Sequence, residues 1–182
     1  MTMKHDGIHR LAAALKVLVT AVWVCNLLIL PFAPMIAANS FAGGTLWDVL
    51  DAAANGPSAL LGQTAAAFAQ PYPTLLSAAL LFCGVCSAVM LWQARRIVDT
   101  ILQGFPFSWR NGESFSRAAV RSFLISGVSL IASGAGFAMQ LSPPTYAVLF
   151  VPFFFIVGLL FLVLAALFYE AADLKHENDL TI

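Results

Sequence analysis

The sequence predicts an all-α integral membrane protein: four transmembrane helices in an antiparallel bundle, both termini in the cytoplasm, and short helices in the outer loop between the first two spans. Three observations predict it. Of 182 residues, 60% are apolar and only 10% are charged, where a soluble domain has about a quarter charged. Four long apolar runs alternate with polar segments. All nine lysines and arginines fall in the first, third and fifth of those segments, and the second, 39–73, has none. Basic residues stay on the cytoplasmic side of a bilayer. Four crossings also return the chain to its starting side, so the two arguments agree. Residues 1–182 then form one membrane domain, and the lipid bilayer is its first partner. Formal net charge is zero, which excludes nucleic acid as a bulk electrostatic partner.

The first span is expected over about 11–36, led by Lys4, Arg10 and Lys16. A secretory signal has an apolar core of about 7–15 residues and a small-x-small cleavage site. This run is longer, holds Pro31 and Pro34 near its end and lacks a clear Ala-x-Ala, so an uncleaved span is expected. Lys16 can snorkel to the headgroups. The outer loop, 39–73, is too long to be structureless. Thr45 is placed to cap a short helix with Leu46, Val49, Leu50 and Ala53 on one face, and with Asp48 and Asp51 turned elsewhere. Leu60, Leu61, Thr64 and Phe68 mark a second, weaker helix. These helices are expected to lie on the outer membrane surface or to cap the bundle; a ligand lid is the alternative.

The second span is expected over about 74–94. Pro71 and Pro73 precede it, where a missing N–H costs least. Trp92, Arg95 and Arg96 mark its inner end as aromatic and basic anchors. The helix is expected to run on through Ile97, Val98, Ile101 and Leu102 into a cytoplasmic loop, 95–116, and to stop at Gly104 with Pro106 beyond. The third span, about 117–141, carries Ser122, Ser126, Ser129, Ser133 and Gly136 at steps of four, three, four and three. That spacing puts small residues on one face, where they let two helices pack closely in lipid. A polar conduction path is the alternative reading, but no ionisable group reinforces it at mid-membrane depth. Ser142-Pro143-Pro144-Thr145 makes an outer turn. The fourth span, about 146–169, is rich in phenylalanine, and helical propensity continues into the cytoplasmic tail, 170–182.

Charges gather at the inner mouth. The third helix begins with Arg117 and Arg121, and the fourth ends with Glu170 and Asp173. Each set opposes its own helix dipole. Folding the hairpin about Pro143-Pro144 at equal rise puts position 117 opposite 170 and 114 opposite 173. Arg117 and Arg121 are therefore expected to meet Glu170, with Asp173 near the loop arginines.

Catalytic chemistry finds no footing. Cys25, Cys83 and Cys86 all lie in apolar runs, against a disulfide framework. Cys83-Gly84-Val85-Cys86 has redox or metal spacing, but no second pair or nearby histidine supports it, and packing in a helix is the expected role. His5 and His9 have i, i+4 spacing without an evident third ligand. No Ser/His/Asp set, phosphate loop or paired mid-membrane carboxylates can be assembled. The chain is read as a non-enzyme with no cofactor, metal or catalytic residue.

Three stretches resemble a known family. They are Arg95-Arg96-Ile97-Val98-Asp99-Thr100, then Gly104-Phe105-Pro106-Phe107-Ser108, then the ending from Leu167-Phe168-Tyr169-Glu170 to Asn178-Asp179-Leu180-Thr181-Ile182. They resemble the helix, the loop and the C-terminus of an uncharacterised bacterial four-span membrane family, domain of unknown function 2975. The resemblance covers nearly the whole chain. The family usually follows its loop with Pro-Glu-Asn; here Trp109 and Arg110 replace the first two, Asn111 agrees, and the basic run that follows is thinned to Arg117 and Arg121. The resemblance implies a multi-pass protein of the bacterial inner membrane with no assigned activity. Members are often encoded beside a small helix-turn-helix regulator. That implies a protein partner held by the cytoplasmic loop and tail, through Arg95, Arg96, Gly104, Pro106, Phe107, Glu177, Asn178 and Asp179. The alternative is a small-solute transporter or channel acting as a homo-oligomer, with Pro152 and Gly158 loosening the fourth helix and the serine stripe wetting a path.

Overall fold

A long apolar run has no water in lipid to bond its backbone, so it closes its own hydrogen bonds as a helix. The computed structural model describes residues 2–41, 44–55, 62, 65, 68–103 and 108–180, and its elements among them are helical. Helix α1 (Thr2–Ile29) tightens into a 3-10 turn (Leu30–Phe32) at Pro31 and resumes as α2 (Ala33–Phe41). A short α3 (Leu46–Asn55) follows, then α4 (Pro71–Leu102), α5 (Trp109–Ala138) and α6 (Thr145–Leu180). Four segments are long and apolar enough to cross a membrane: Leu11–Ser40, Pro71–Leu102, Trp109–Ala138 and Thr145–Glu177.

The helices are longer than the expected spans. Pro71 and Pro73 lie inside the first turn of α4 rather than ahead of it, since proline at that point gives up only N–H groups the helix leaves free. Helix α5 starts at Trp109, not 117, so much of the expected 95–116 loop is helical. Ser108 starts it: its carbonyl accepts from the Asn111 and Gly112 amides at 2.9 and 3.4 Å. Gly104, Pro106 and Phe107 lie outside the described residues, as do Leu60, Leu61 and Thr64 of the expected second loop helix.

Helix α3 adds one detail. Asp48 is exposed, off the face that buries Val49, and its Oδ2 accepts from the Thr45 amide at 2.5 Å and the Thr45 hydroxyl at 2.8 Å. A carboxylate three residues into a helix that reaches back to the cap residue is half of a capping box. The Thr45 bonds hold the Asp48 carboxyl below the usual carboxylate range. A depressed folded pKa means the bond is fully present at neutral pH and is lost as pH falls through that depressed value. The Thr45 amide resonance is therefore expected to titrate with a midpoint below that of a free aspartate (about 4), and Asp48→Asn should abolish the titration. A pH-independent Thr45 amide would show the cap to be absent.

The fold divides into two compact units. The first gathers Met1–Asn26, Ser87–Phe123 and Phe155–Ile182, the second Leu27–Cys86 and Leu124–Phe154. The second unit packs Ala37, Leu76 and Ala147 into a buried cluster with Leu80 and Tyr146 against it. Here α5 ends on Gln140 at φ 57°. The Gln140 amide bonds the Phe137 carbonyl and the Leu141 amide bonds the Gly136 carbonyl, at 3.0 and 2.9 Å. This pairing is a Schellman motif, which fills carbonyls that the helix end leaves open. Pro152 sits inside α6, and the Ser126 hydroxyl donates to the neighbouring Val151 carbonyl at 2.8 Å.

Along α6, Phe153, Ile156, Leu160, Val163 and Leu167 are all exposed. Their spacing of three, four, three and four makes one continuous apolar face. In water such a face would be an aggregation hazard; lipid is the solvent it fits.

Candidate functional site

The first unit concentrates the polar and charged contacts. Helix α1 meets α4 at three levels. The Lys16 Nζ lies 2.7 Å from Asp99 Oδ1, with both side chains about one-third exposed. Trp23 and Trp92 meet with ring centroids 5.7 Å apart and planes tilted by 48°. Asn26 Nδ2 donates to Ser87 Oγ at 2.8 Å. The sequence reading gave Lys16 to the headgroups and left Asp99 without a role. The available signal was Asp99 itself, an acid on a helical run beside an apolar span, where an ionised group calls for a partner.

Helix α4 is tied to α5 just before and after the 104–107 segment. Thr100 Oγ1 lies 2.7 Å from both Asn111 Oδ1 and the Ile97 carbonyl, so its single proton is shared between two acceptors. Asn111 is only 1% exposed. Close by, Trp109 packs on Tyr169 at 5.2 Å. Gly112 leaves room for the Tyr169 ring, which a Cβ there would meet at 2.8 Å. Phe115 then contacts Phe161 and Phe168, and Phe123 contacts Phe155, at 6.0, 5.1 and 5.6 Å.

That aromatic seam revises the expected charge cluster. Arg117 pairs with Glu113 one turn away on its own helix, not with Glu170. Arg121 Nη1 donates to the Arg117 carbonyl at 3.2 Å. Glu170 and Asp173 are exposed. The cause is register. The pairs Phe123–Phe155 and Trp109–Tyr169 centre the hairpin near residue 139, not at Pro143-Pro144. Position 117 then faces about 161, and Glu170 slips past it by nine residues, or about 13 Å. The chain from Met139 to Pro144 is not helical, and equal-rise folding does not hold through it.

The small-residue stripe lies on buried positions throughout. In the first unit, Ser122 Oγ bonds the Ala118 carbonyl at 3.1 Å and approaches Met90 Sδ at 3.7 Å. In the second, Ser129 Oγ is 3.9 Å from Cys83 Sγ, and Gly136 receives the Tyr72 hydroxyl end. Ser133 is 5% exposed, and among the described residues its hydroxyl has no bonding partner. A small cavity of about 10 Å³, lined by Leu76, Cys83, Ser129 and Phe150 among others, lies in this unit. In the first unit the amide of Gln93 is buried with Oε1 unbonded, a residue the sequence reading passed over.

Arg95 is half-buried and Arg96 exposed on α4. At the end of α6, Glu177 is exposed, while Asn178 and Asp179 continue the helix with side chains outside the described set. His5 and His9 lie on α1, likewise with undescribed side chains. Among the described residues, no group of His, Cys, Asp and Glu could hold a metal ion, and Cys25, Cys83 and Cys86 form no disulfide.

A family model described as "Protein of unknown function (DUF2975)" matches residues 3–182. No curated protein and no solved structure matches the chain.

Proposed function

Because this chain belongs to the DUF2975 family of proteins of unknown function, we propose that it is a non-enzymatic protein of the bacterial inner membrane that acts by holding a small helix-turn-helix regulator at the cytoplasmic face. The four membrane-compatible helices support a multi-pass protein. The basic residues flanking them support both termini inside. Contacts such as Lys16–Asp99, Thr100–Asn111 and Phe123–Phe155 favour neighbours running antiparallel.

One observation carries the docking reading. Helix α6 has 36 residues, about 54 Å at 1.5 Å each, against a hydrocarbon core of about 30 Å. Its end therefore extends past the apolar layer as ordered helix rather than a free tail. Leu174 is 67% exposed there, among exposed Asp173, Lys175, His176 and Glu177. Helix-in-groove recognition uses exposed apolar residues of a protruding helix as its anchors, and Leu174 offers one. The test is affinity capture from detergent-solubilised membranes, comparing the full chain with one ending at Tyr169. The expected result is a small DNA-binding protein with the first and not the second. Recovery of none, or equal recovery with both, would remove this reading.

A second reading, an oligomeric conduit for a small solute, is favoured by the unbonded polar atoms of Gln93 and Ser133 inside apolar helices. Solute flux into liposomes carrying the purified protein, absent from empty liposomes, is the outcome that would support it over docking.

A further inference from the structure

We propose that the α1–α4 face of the first unit binds the phosphate of an anionic glycerophospholipid, with Arg95 and Arg96 as its ligands. The inference rests on the membrane crossing proposed above and not on the regulator.

Four observations converge on this face. First, among the described residues neither Arg95 nor Arg96 has an acidic partner. Asp99, one helical turn away on the same helix, is already engaged by Lys16. Lys16, Arg95, Arg96 and Asp99 together thus leave two net positive charges on one patch. Second, the ion pair positions the patch as well as neutralising Asp99. Asp99 lies one helical turn beyond Arg95, so the salt bridge pins α1 beside the arginine rather than letting Asp99 fold back onto it. Third, the depth fits. Trp92 is 50% exposed and meets Trp23. It lies one turn from Arg96, about 6 Å along the axis. Indole rings settle at the headgroup level, so the guanidinium groups reach the phosphate layer. Fourth, the α1 side is built for acyl chains, because Leu15, Leu18 and Val22 are all exposed.

The chemistry selects the ligand. A guanidinium presents paired donors that match phosphate oxygens. Two adjacent ones carry the charge to prefer phosphatidylglycerol or cardiolipin over a zwitterionic lipid. Free phosphate would find the same donors but not the apolar wall of α1, so an acylated anionic phospholipid is the occupant.

The test uses the full chain purified in a neutral detergent. Bound lipid is counted by native mass spectrometry, and the shift in melting temperature is followed on adding phosphatidylglycerol, cardiolipin, phosphatidylcholine or glycerol 3-phosphate. Anionic lipid is expected to bind and raise the melting temperature, while phosphatidylcholine and glycerol 3-phosphate have no comparable effect. The double variant R95Q/R96Q should weaken anionic-lipid binding about thirtyfold. R110Q/R121Q removes the same charge elsewhere in the same unit and should leave binding within about twofold. The single variant Arg96→Gln, with an intermediate loss, serves where the double variant fails to fold. Equal binding of phosphatidylcholine, reproduction of the shift by glycerol 3-phosphate, or equal loss in the two double variants would overturn the proposal. So would loss of regulator capture, with lipid binding intact, in R95Q/R96Q. Release of the chain from membranes by alkaline carbonate would instead sink the membrane crossing itself.

Discussion

Replacing Gly136 with alanine is expected to lower stability by about 2 kcal/mol, the middle of the range for overpacking a filled core. Two effects compete. Alanine in place of glycine stabilises a helix interior by about 0.5–1 kcal/mol. Against it, the new Cβ would lie 2.6 Å from the Tyr72 hydroxyl oxygen and 3.0 Å from the ring carbon bearing it. Tyr72 is 2% exposed, and a buried ring has no free volume to retreat into, so the clash wins. Gly134 on the same helix meets nothing within 4 Å, and Gly134→Ala should be neutral or slightly stabilising. Adding Tyr72→Phe to Gly136→Ala removes the closest atom and should recover part of the loss. Melting of the four proteins in one detergent checks all of this; equal melting of Gly136→Ala and Gly134→Ala would show that the close approach carries no energy.

Asn111→Ala is expected to be the second large effect, a loss of about 2–3 kcal/mol. Its amide is fully enclosed and faces the Thr100 hydroxyl. Removal leaves a void and an acceptor missing from a shared bond, and each has a known penalty of about 1–3 kcal/mol. Thr100→Val should lose less, because valine keeps the branched shape of threonine and leaves no void, so only the bond to Asn111 is lost. The double variant should fall short of the sum, as it does for residues in direct contact. Glu113→Ala is the contrast. It breaks an ion pair in which both side chains are about half exposed, and such pairs contribute about 0–1 kcal/mol. If Asn111→Ala melts no lower than Glu113→Ala, the Thr100–Asn111 bond is not what joins α4 to α5.

The helices were legible because a long apolar run in lipid has one way to satisfy its backbone. Their ends were less so. Trp109 through Ser116 reads as polar loop in the sequence, yet Trp109 and Phe115 find aromatic partners on α6, and packing carried the helix further back than local composition suggests. The Arg117–Glu170 expectation failed for a related reason. Charge complementarity named plausible partners, but ring packing and the irregular chain after Ala138 determined which residues came level. Thr45 is legible as the α3 cap, and the Thr-x-x-Asp spacing also marks Asp48 as the carboxylate that reaches back to it. The Lys16–Asp99 pair joins residues far apart in the chain, and nothing local to either could name the other.

The ring seam between α5 and α6 has a mechanical consequence. Phe115, Phe123 and Trp109 each seat against rings of the facing helix, like pawls in a toothed rack. Axial slippage by less than one pitch, about 5.4 Å, would leave every tooth against a neighbour's edge. Within that unit the two rods therefore travel together, and sliding one along the other would unseat every ring at once.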